Sequence, residues 1–451
     1  MLTAISPLDG RYSHHTKQLR AIVSEYGLIF YRLSIEVKWL TSLANNPQIT
    51  DIQPLTPDED LFLKTLLNSF NEPEAEHIKK IEKKTNHDVK AIEYYLREKL
   101  DAHATLKRLS PFIHFACTSE DINNLAYALI IKKTRDEIII PQLNELIQSL
   151  NQLASNTAQC AMLSRTHGQP ATPTTLGKEF KNFSVRLSTH LKYFTEIPIA
   201  GKCNGAVGNY NAHCVAYPKI DWLTLSKNFI ESLGLQWNAY TTQIEPHDLL
   251  AQFFNALTIC HTILIDFCRD MWGYIALDYF SLCKTEGEVG SSTMPHKINP
   301  IDFENAEGNL GLAIALATHL SQKLPLSRWQ RDLTDSTVLR NVGTVFAYGL
   351  VAYISLSKGV NKLIPNTEKI KKELNQHWEI LAEPIQTVMR RYGITDAYEQ
   401  LKSMTRGESI TQKQLRDFIA ELTIPDEAKK ELQNLTPESY LGLAVKLAKG
   451  I

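Results

Sequence analysis

The residues best suited to chemistry stand together in one short stretch, GSSTMPHKINP, at positions 290–300. It holds two serines, a histidine, a lysine and an asparagine. Gly287 and Gly290 stand at its start, and Pro295 and Pro300 towards its end. Glycines allow backbone movement and prolines restrict it. Because long apolar segments flank the stretch, this composition favours a moving loop that carries polar chemistry over a plain surface turn between two helices.

Further polar groups gather at the ends of predicted helices rather than along their faces. Hydroxyls, imidazoles, carboxamides and guanidiniums dominate, which suits proton transfer on a polyanionic small molecule. The groups are Arg11 and Tyr12; Asn86, His87, Asp88 and Lys90; Thr118 and Ser119; Arg165, Thr166, His167 and Gln169; Asn204, Asn209 and His213; Gln243, Glu245 and His247; and Arg328, Arg331, Ser336 and Arg340.

Each of these groups also has a purely structural interpretation. His87 and Asp88 are equally typical of a local helix cap, and the arginines of 328–340 could form a solvated face. His213 and His247 resemble core histidines. Hydroxyls at a helix start cap the helix and can also face an anion, so the two roles are compatible at residues 118–119. His167 lies between segments rich in proline and glycine, where a core histidine is not expected.

Motifs for metals and cofactors do not occur. There is no H-E-x-x-H, no histidine pair at zinc spacing, no P-loop and no Gly-x-Gly-x-x-Gly before a strand. We therefore expect no metal and no cofactor. The formal net charge is −1, which gives no indication of a nucleic-acid partner.

The expected compartment is the cytoplasm. Seven cysteines occur without a Cys-x-x-Cys pair, as in reduced intracellular proteins, and residues 1–17 lack the apolar core of a signal peptide. The most apolar stretch, residues 249–265, contains Gln252, Asn255 and His261. It is expected to be a buried core helix rather than a membrane span.

Five long helical patterns follow one another through the centre of the chain. The first begins at a capping box of Thr118 and Asp121 and continues past a kink at Pro141. No alternating strand pattern in the sequence is long enough to affect the fold prediction. The other four helices are expected to begin at Thr172–Pro173, to run from Pro246 to about Cys283, from Asp302 to Lys323, and from Leu333 to Leu363.

The resulting fold prediction is all-α, with three helical domains at residues 1–116, 117–360 and 361–451. The middle domain would be a five-helix bundle that carries the loop at 290–300. Some of its helices are apolar on all sides, so we expect their outer faces to be buried against other subunits.

The loop resembles the G-S-S-x-M-P-x-K-x-N-P signature of the fumarase, aspartase and argininosuccinate lyase superfamily. Members of this superfamily cleave a C–N or C–O bond beside a carboxylate and release fumarate. His296, together with TNHDVKA, CTSEDINN, RTHGQPATP, NGAVGNYNAH and TTQIEPHD, is similar to the adenylosuccinate lyase family of the bacterial long-form type.

The resemblance implies a homotetramer with a helical core that acts in purine biosynthesis. Family members split adenylosuccinate into AMP and fumarate. On the route to IMP, they also split succinyl-aminoimidazole carboxamide ribotide into the carboxamide ribotide and fumarate.

The same resemblance assigns the base to Ser291 and the acid to His167. By its ordinary pKa of about 6.5, His296 would be the obvious base. Related fumarases, however, perform the elimination without a histidine there. The resemblance implies substrate-binding roles for Arg11, Tyr12, Asn86, His87, Asp88, Thr118, Ser119, Gln243, Ser292, Lys297, Ile298, Asn299, Asn305, Arg331, Ser336, Thr337 and Arg340.

Two alternatives stay open. An argininosuccinate-type lyase should carry glutamine at the position of His296, and a non-catalytic helical scaffold should have lost the polar groups, which are intact. Thr118 begins the first long helix and His167 follows its end. A helix of roughly 38 residues spans about 55 Å, so we expect these two residues of one site to come from different subunits.

Overall fold

A computed structural model of the chain describes residues 2–283, 293–294, 296–405 and 410–450. The chain divides into two compact units. The first comprises Met1–Leu143, His190–Thr262 and Gly308–Ile354, and the second comprises Asn144–Thr189, Ile263–Glu307 and Ser355–Ile451. The fold is helical, as predicted, and it also holds a few short strands.

The helices before residue 160 are α1 (Arg20–Val23), α2 (Glu25–Ala44), α3 (Pro57–Asn68), α4 (Glu72–Thr85), α5 (Asp88–Asp101), α6 (Ser119–Thr134) and α7 (Ile140–Asn156). The central elements are β1 (Ala161–Thr166), β2 (Gln169–Thr175), α8 (Leu176–Glu196), β3 (Ala200–Gly201), α9 (Asn211–Ala216), α10 (Trp222–Ser232), β4 (Gln236–Trp237), α11 (Asp248–Ala276) and β5 (Phe280–Leu282). The remaining elements are α12 (Ile301–Lys323), α13 (Thr334–Leu339), α14 (Val342–Lys362), β6 (Leu363–Pro365), α15 (Thr367–Leu374), α16 (Ala382–Arg391), α17 (Ala397–Thr405), α18 (Gln412–Glu421), α19 (Asp426–Asn434) and α20 (Ala444–Lys449).

The first long helix continues past its proline, as predicted, but through an inserted turn. A π-helical turn, Arg135–Ile139, joins α6 to α7, and Pro141 follows directly in the first turn of α7. Proline donates no N–H, and its ring clashes with the carbonyl four residues earlier in a regular helix. The wider turn relieves this clash, so the helical path is kept.

The prediction that the next helix begins at Thr172 and Pro173 is wrong. Both residues lie in β2, which pairs antiparallel with β1, and α8 begins only at Leu176. They fall in the irregular part of the ladder, between the pairs Met162–Thr174 and Ser164–Ala171, where proline has no ladder hydrogen bond to lose.

Two further boundaries differ from the prediction. The third long helix, α11, begins at Asp248 because His247 has a left-handed backbone with φ of 66°, and it ends at Ala276 rather than near Cys283. The fifth is divided into α13 and α14 around Arg340. The fourth, α12, matches its predicted bounds to within one residue.

Two helical segments of the described residues are long and apolar enough to cross a membrane by length and composition alone: Asp248–Ala276, and Thr334–Lys362, which contains α13 and α14. Buried core helices of globular proteins meet the same criterion. In α11, the expected core helix, His261 is fully buried, and its Nε2 contacts the hydroxyl of Tyr353 at 2.5 Å. Such a polar contact between helices is typical of the inside of a bundle.

The hydrophobic core of the second unit includes part of the β1–β2 hairpin. Leu163 of β1 is 1% exposed and packs in a cluster with residues of the C-terminal helices. The hairpin is therefore part of the same hydrophobic core as those helices. The other buried members are Leu374, Ile380, Leu381, Ile385, Met389, Ala397, Leu401, Ile410, Leu415, Ile419, Leu422, Ile424, Ala428 and Leu432.

Gly177 at the start of α8 allows a close approach to α7, and this gives a first testable prediction. A Cβ atom at Gly177 would overlap the carbonyl oxygen of Ala154 and the backbone of Ala158, neither of which can move aside independently. We expect Gly177→Ala to lower stability by about 1–3 kcal/mol, measured as an earlier urea midpoint. Gly273→Ala in α11 is the control, because nothing lies within 4 Å of its Cβ position. Equal midpoints for the two variants would contradict this account of the contact.

Candidate active site

The carboxylate of Asp121 joins two of the predicted polar segments. Its oxygens accept from the backbone N–H of Thr118 at 2.7 Å and of Asn204 at 2.9 Å. The Nζ of Lys202 lies 2.9 Å away, and both charged side chains are fully buried. Removing either partner would strand a buried charge, which is strongly destabilising. The predicted capping box is thus also the anchor of the loop at 202–205.

Asp88, at the first position of α5, is held between two arginines. Its Oδ2 lies 2.8 Å from Nη2 of Arg32 and 2.9 Å from Nη2 of Arg340. Burial raises the pKa of this carboxyl group, but the charge of Arg32, a backbone hydrogen bond from Val89 and the charge of Arg340 outweigh it, so the pKa lies below its usual value. Asp88 therefore stays ionised and fixes both guanidiniums.

A chain of polar contacts leads from Arg32 to a second predicted arginine, Arg331. Nε of Arg32 donates to the side chain of Asn123 at 2.8 Å, and Asn123 donates to Glu120 at 3.0 Å. Glu120 forms an ion pair with Arg331 at 3.2 Å, and Asp335 lies 3.6 Å from the other end of the same guanidinium. Two of the predicted binding arginines, Arg331 and Arg340, are thus connected through Asp88, Arg32, Asn123 and Glu120, of which all but Asp88 are buried.

His247 is buried between two carboxylates. Its ring nitrogens lie 3.6 Å from Glu245 and 3.6 Å from Asp335. Burial lowers the pKa of His247, but the two carboxylates outweigh burial and raise it to about 9. The imidazole is therefore a cation at neutral pH, and it helps to balance the carboxylate that faces Arg331.

Hydrogen bonds join the segment that contains Gln243 to the segment that contains Asn204. The Gln243 amide donates to the carbonyl of Ala206 at 3.1 Å, and its backbone N–H donates to the carbonyl of Gln330 at 3.2 Å. The amide of Asn204 donates to Thr241 at 2.8 Å. Gln243 is thereby placed beside the backbone that leads into Arg331.

His87 caps α5, in agreement with its structural interpretation. Its Nδ1 accepts from the backbone N–H of Lys90 at 3.1 Å, and Asn86 before it has the left-handed backbone that ends α4. His213 is buried without a hydrogen-bond partner, and burial lowers its pKa to about 4. Both histidines have local structural roles in the chain as described.

The other predicted residues of the first unit lie on short segments. Ser119 is the first residue of α6, and Ser336 and Thr337 lie in α13. Arg11 is exposed, and Tyr12 sits in a loop closed by its own N–H, which donates to the carbonyl of Pro7 at 2.8 Å.

His167 belongs to the second unit, where it forms the turn of the β1–β2 hairpin. Thr166 pairs with Gln169, which leaves His167 and Gly168 as a two-residue loop with φ of 53° and 75°. This is the geometry of a type I′ turn, and histidine is among the few residues that tolerate it. The turn leaves His167 exposed to solvent within one chain.

The signature loop is described only in part. Ser291 and Ser292 lie outside the described residues. Lys297 and Ile298 are exposed and Asn299 is half-buried, directly before α12. The first turn of α12 is fixed by an ion pair between Asp302 and Lys362 at 3.0 Å.

Asn305 has a contact inside the second unit. Its side-chain oxygen accepts from the hydroxyl of Ser355 at 2.8 Å, which links α12 to α14. His167, Lys297, Ile298, Asn299 and Asn305 therefore lie in the second unit, whereas the connected arginines lie in the first.

Several contributing residues were missed by sequence reasoning. Lys202 lies only two positions before Asn204, which begins a predicted polar segment. Its position therefore gave a signal from which a role for its charge could have been predicted. Arg32 interrupts the apolar run LIFYRLSI, and a lone charge in such a run is typical of a buried ion pair. Asp335 and Glu120 had no signal of their own, because their role depends on contacts between distant segments.

Among the residues that the structure describes, no group of three or more His, Cys, Asp or Glu side chains is arranged to hold a metal ion. What the first unit offers instead is guanidinium groups. Each guanidinium has five N–H donors in a planar fork that matches phosphate or carboxylate. The carboxylates around Arg331 and Arg340 hold these forks in place and leave donors for a ligand.

Comparison with known proteins places this arrangement in context. A family model described as lyase matches residues 10–314, and one described as adenylosuccinate lyase C-terminal matches residues 327–441. The chain is 56% identical over 448 residues to the adenylosuccinate lyase of Haemophilus influenzae, covering 99% of this chain and 98% of that protein. It is 53% identical over 446 residues to the adenylosuccinate lyase of Escherichia coli, with coverage of 99% and 98%.

The fold also resembles solved structures. A fumarate lyase from Mesorhizobium sp. BNC1 superposes with a TM-score of 0.76 at 18% identity, covering 96% of each chain. At this identity the likeness concerns the fold alone.

The buried cation at His247 gives a prediction about pH. Its folded-state pKa is raised to about 9, above an unfolded value of about 6.5. The stabilisation is therefore fully present below the unfolded value and is lost as pH rises through the folded one. We expect His247→Gln to have a lower free energy of unfolding than the wild type at pH 6. The difference between the two proteins should become smaller towards pH 9.5, as measured by urea unfolding at a series of pH values. A gap that is constant or widens with pH would contradict the cationic assignment.

Proposed function

Because the chain belongs to the adenylosuccinate lyase family, we propose that it releases fumarate from adenylosuccinate, giving AMP. We also propose that it releases fumarate from succinyl-aminoimidazole carboxamide ribotide, in cytoplasmic purine biosynthesis. Membership over nearly the whole chain carries this proposal. The gathering of Asp88, Arg331 and Arg340 into one connected group supports it, since a nucleotide phosphate needs placed guanidiniums.

In the proposed reaction, Ser291 removes a proton from the carbon beside one carboxylate of the succinyl group. The electron pair of the C–H bond passes into that carboxylate and forms a doubly charged aci-carboxylate. Lys297, Asn299 and the backbone N–H groups of the loop are suited to hold this charge. The pair then forms the fumarate double bond as the C–N bond breaks, and His167 gives a proton to the departing nitrogen.

The remaining residues are proposed to hold the substrate. Arg11, Tyr12, Arg331, Ser336, Thr337 and Arg340 would bind the nucleotide, chiefly its phosphate. Asn86, His87 and Asp88 would line the ribose side. Thr118, Ser119, Gln243, Ser292, Ile298 and Asn305 would bind the succinyl group and support the base. The start of α6 suits a carboxylate because the N-terminus of a helix favours negative charge.

We propose that the working form is a homotetramer whose sites are shared between subunits. Large apolar side chains are about half exposed on three long helices within one chain: Val185 of α8, Ile259 and Trp272 of α11, and Leu312 of α12. Apolar surface of this kind is typical of faces buried against other subunits. His167 is likewise exposed at a hairpin tip, where a second chain can complete its surroundings.

A direct assay tests the proposed function. Purified protein should lower the absorbance of adenylosuccinate and release an equal amount of fumarate, and it should also act on the succinyl-carboxamide ribotide. Turnover of argininosuccinate instead would favour the alternative lyase, and no turnover of any of the three by folded protein would favour a scaffold.

The base is tested by Ser291→Ala. We expect turnover to be abolished while nucleotide binding is retained, because the phosphate contacts are assigned to other residues. Steady-state kinetics and AMP binding by calorimetry measure the two properties separately. Ser292→Ala removes the neighbouring hydroxyl and should raise KM more than it lowers kcat. Normal turnover in Ser291→Ala would contradict the assignment of Ser291 as the base.

Sharing of sites is tested by mixing two inactive variants, Ser291→Ala and His167→Ala, and allowing their subunits to exchange. If the two residues of a site come from different chains, about a quarter of the sites in a random mixture are intact and activity returns. Native mass spectrometry confirms the exchange. Exchange without recovered activity would show that this pair comes from one chain.

A further inference from the structure

We propose that Glu373 of the C-terminal region is a positioning residue for the hairpin that presents His167. The inference rests on the proposed function, because it concerns the general acid of that reaction. It gives the C-terminal helices a role that none of the predicted site residues supplies. All the residues involved lie within the second unit.

The central contact joins Glu373 of α15 to Arg165 of β1. A carboxylate oxygen of Glu373 accepts a hydrogen bond from Nη2 of Arg165. The other end of the same guanidinium, Nη1, lies 3.5 Å from the carbonyl of Gly168 in the turn. One side chain therefore connects α15 to the two-residue loop that contains His167.

The ion pair is better shielded than an ordinary surface pair. The side chain of Glu373 is 12% exposed and that of Arg165 is 29% exposed. Tyr279 lies beside them, and burial, followed by the charge of Glu373, raises the pKa of Tyr279 to about 12. Lys369 lies 3.5 Å from the second oxygen of Glu373. A shielded pair with fixed neighbours holds its geometry more firmly than a solvated one.

A second carboxylate holds the other strand of the same hairpin. Glu383 of α16 accepts from the hydroxyl of Thr172 in β2, and also from the hydroxyl of Tyr440 at 3.1 Å. Leu163 of β1 lies in the hydrophobic core of the C-terminal helices. Each strand therefore has a polar attachment to the C-terminal region, and the base of the hairpin has an apolar one.

These attachments matter because a two-residue turn does not fix the position of His167 by itself. A two-stranded hairpin is marginally stable alone, and a catalytic group displaced by about 1 Å can lose about 100-fold in rate. Glu373 does not touch the substrate in this proposal. It acts through Arg165, which fixes the turn and so the direction of the imidazole.

The test is Glu373→Ala in the full-length enzyme, assayed with adenylosuccinate. We expect kcat to fall about 10- to 100-fold while KM stays near the wild-type value, since no substrate-binding residue is altered. The swapped double variant Arg165→Glu/Glu373→Arg should recover part of the loss that either single charge reversal causes. Glu368→Gln on the exposed side of α15 is the matched control and should behave as the wild type.

An independent measurement separates this proposal from the proposed function. Amide hydrogen exchange of residues 161–175 should be faster in Glu373→Ala than in Glu368→Gln, whatever reaction the enzyme performs. Unchanged exchange together with unchanged kcat would overturn the positioning role. An equal loss of kcat in the Glu368→Gln control would also overturn the positioning role. An inactive wild type with faster exchange in Glu373→Ala would overturn the proposed function and leave the attachment of the hairpin standing.

Discussion

The first unit depends on the interactions of one buried carboxylate, that of Asp121. A charge removed from water must have its lone pairs filled and its charge balanced, and here Lys202 and the N–H groups of Thr118, Asn204 and Gly205 meet both needs. The start of α6 is thereby locked to a loop that lies some eighty residues later. This neutralisation places Lys202 and the backbone of Asn204 and Gly205 against the start of α6.

The same demand explains why the arginines of the first unit are connected. Arg331 and Arg340 do not stand as free cations. Each faces carboxylates, which in turn face Arg32 and His247. The charges thus hold one another in fixed places before any ligand arrives. Preorganised donors need no rearrangement on binding, so little of the binding energy is spent on ordering them.

Local patterns were predictable from the sequence, and distant pairings were not. The capping box at Thr118 and the bounds of α12 depend on a few neighbouring residues, and both predictions are confirmed. The start of α8 was misplaced because Thr172 and Pro173 satisfy the rules for a helix start, while pairing with β1 decides their conformation. The partners of Arg32 and Asp335 depend on contacts between segments far apart in sequence, which no local rule contains.

The left-handed backbone of His167 has a consequence for how this position can drift during evolution. Two filters act on one residue: the turn admits glycine, asparagine, aspartate and histidine readily, and proton transfer near neutrality selects histidine from that set. A lineage released from selection for chemistry would therefore be expected to accumulate asparagine or glycine here, with its hairpin intact. Preservation of the fold alone would then be no guide to whether such a descendant is still an enzyme.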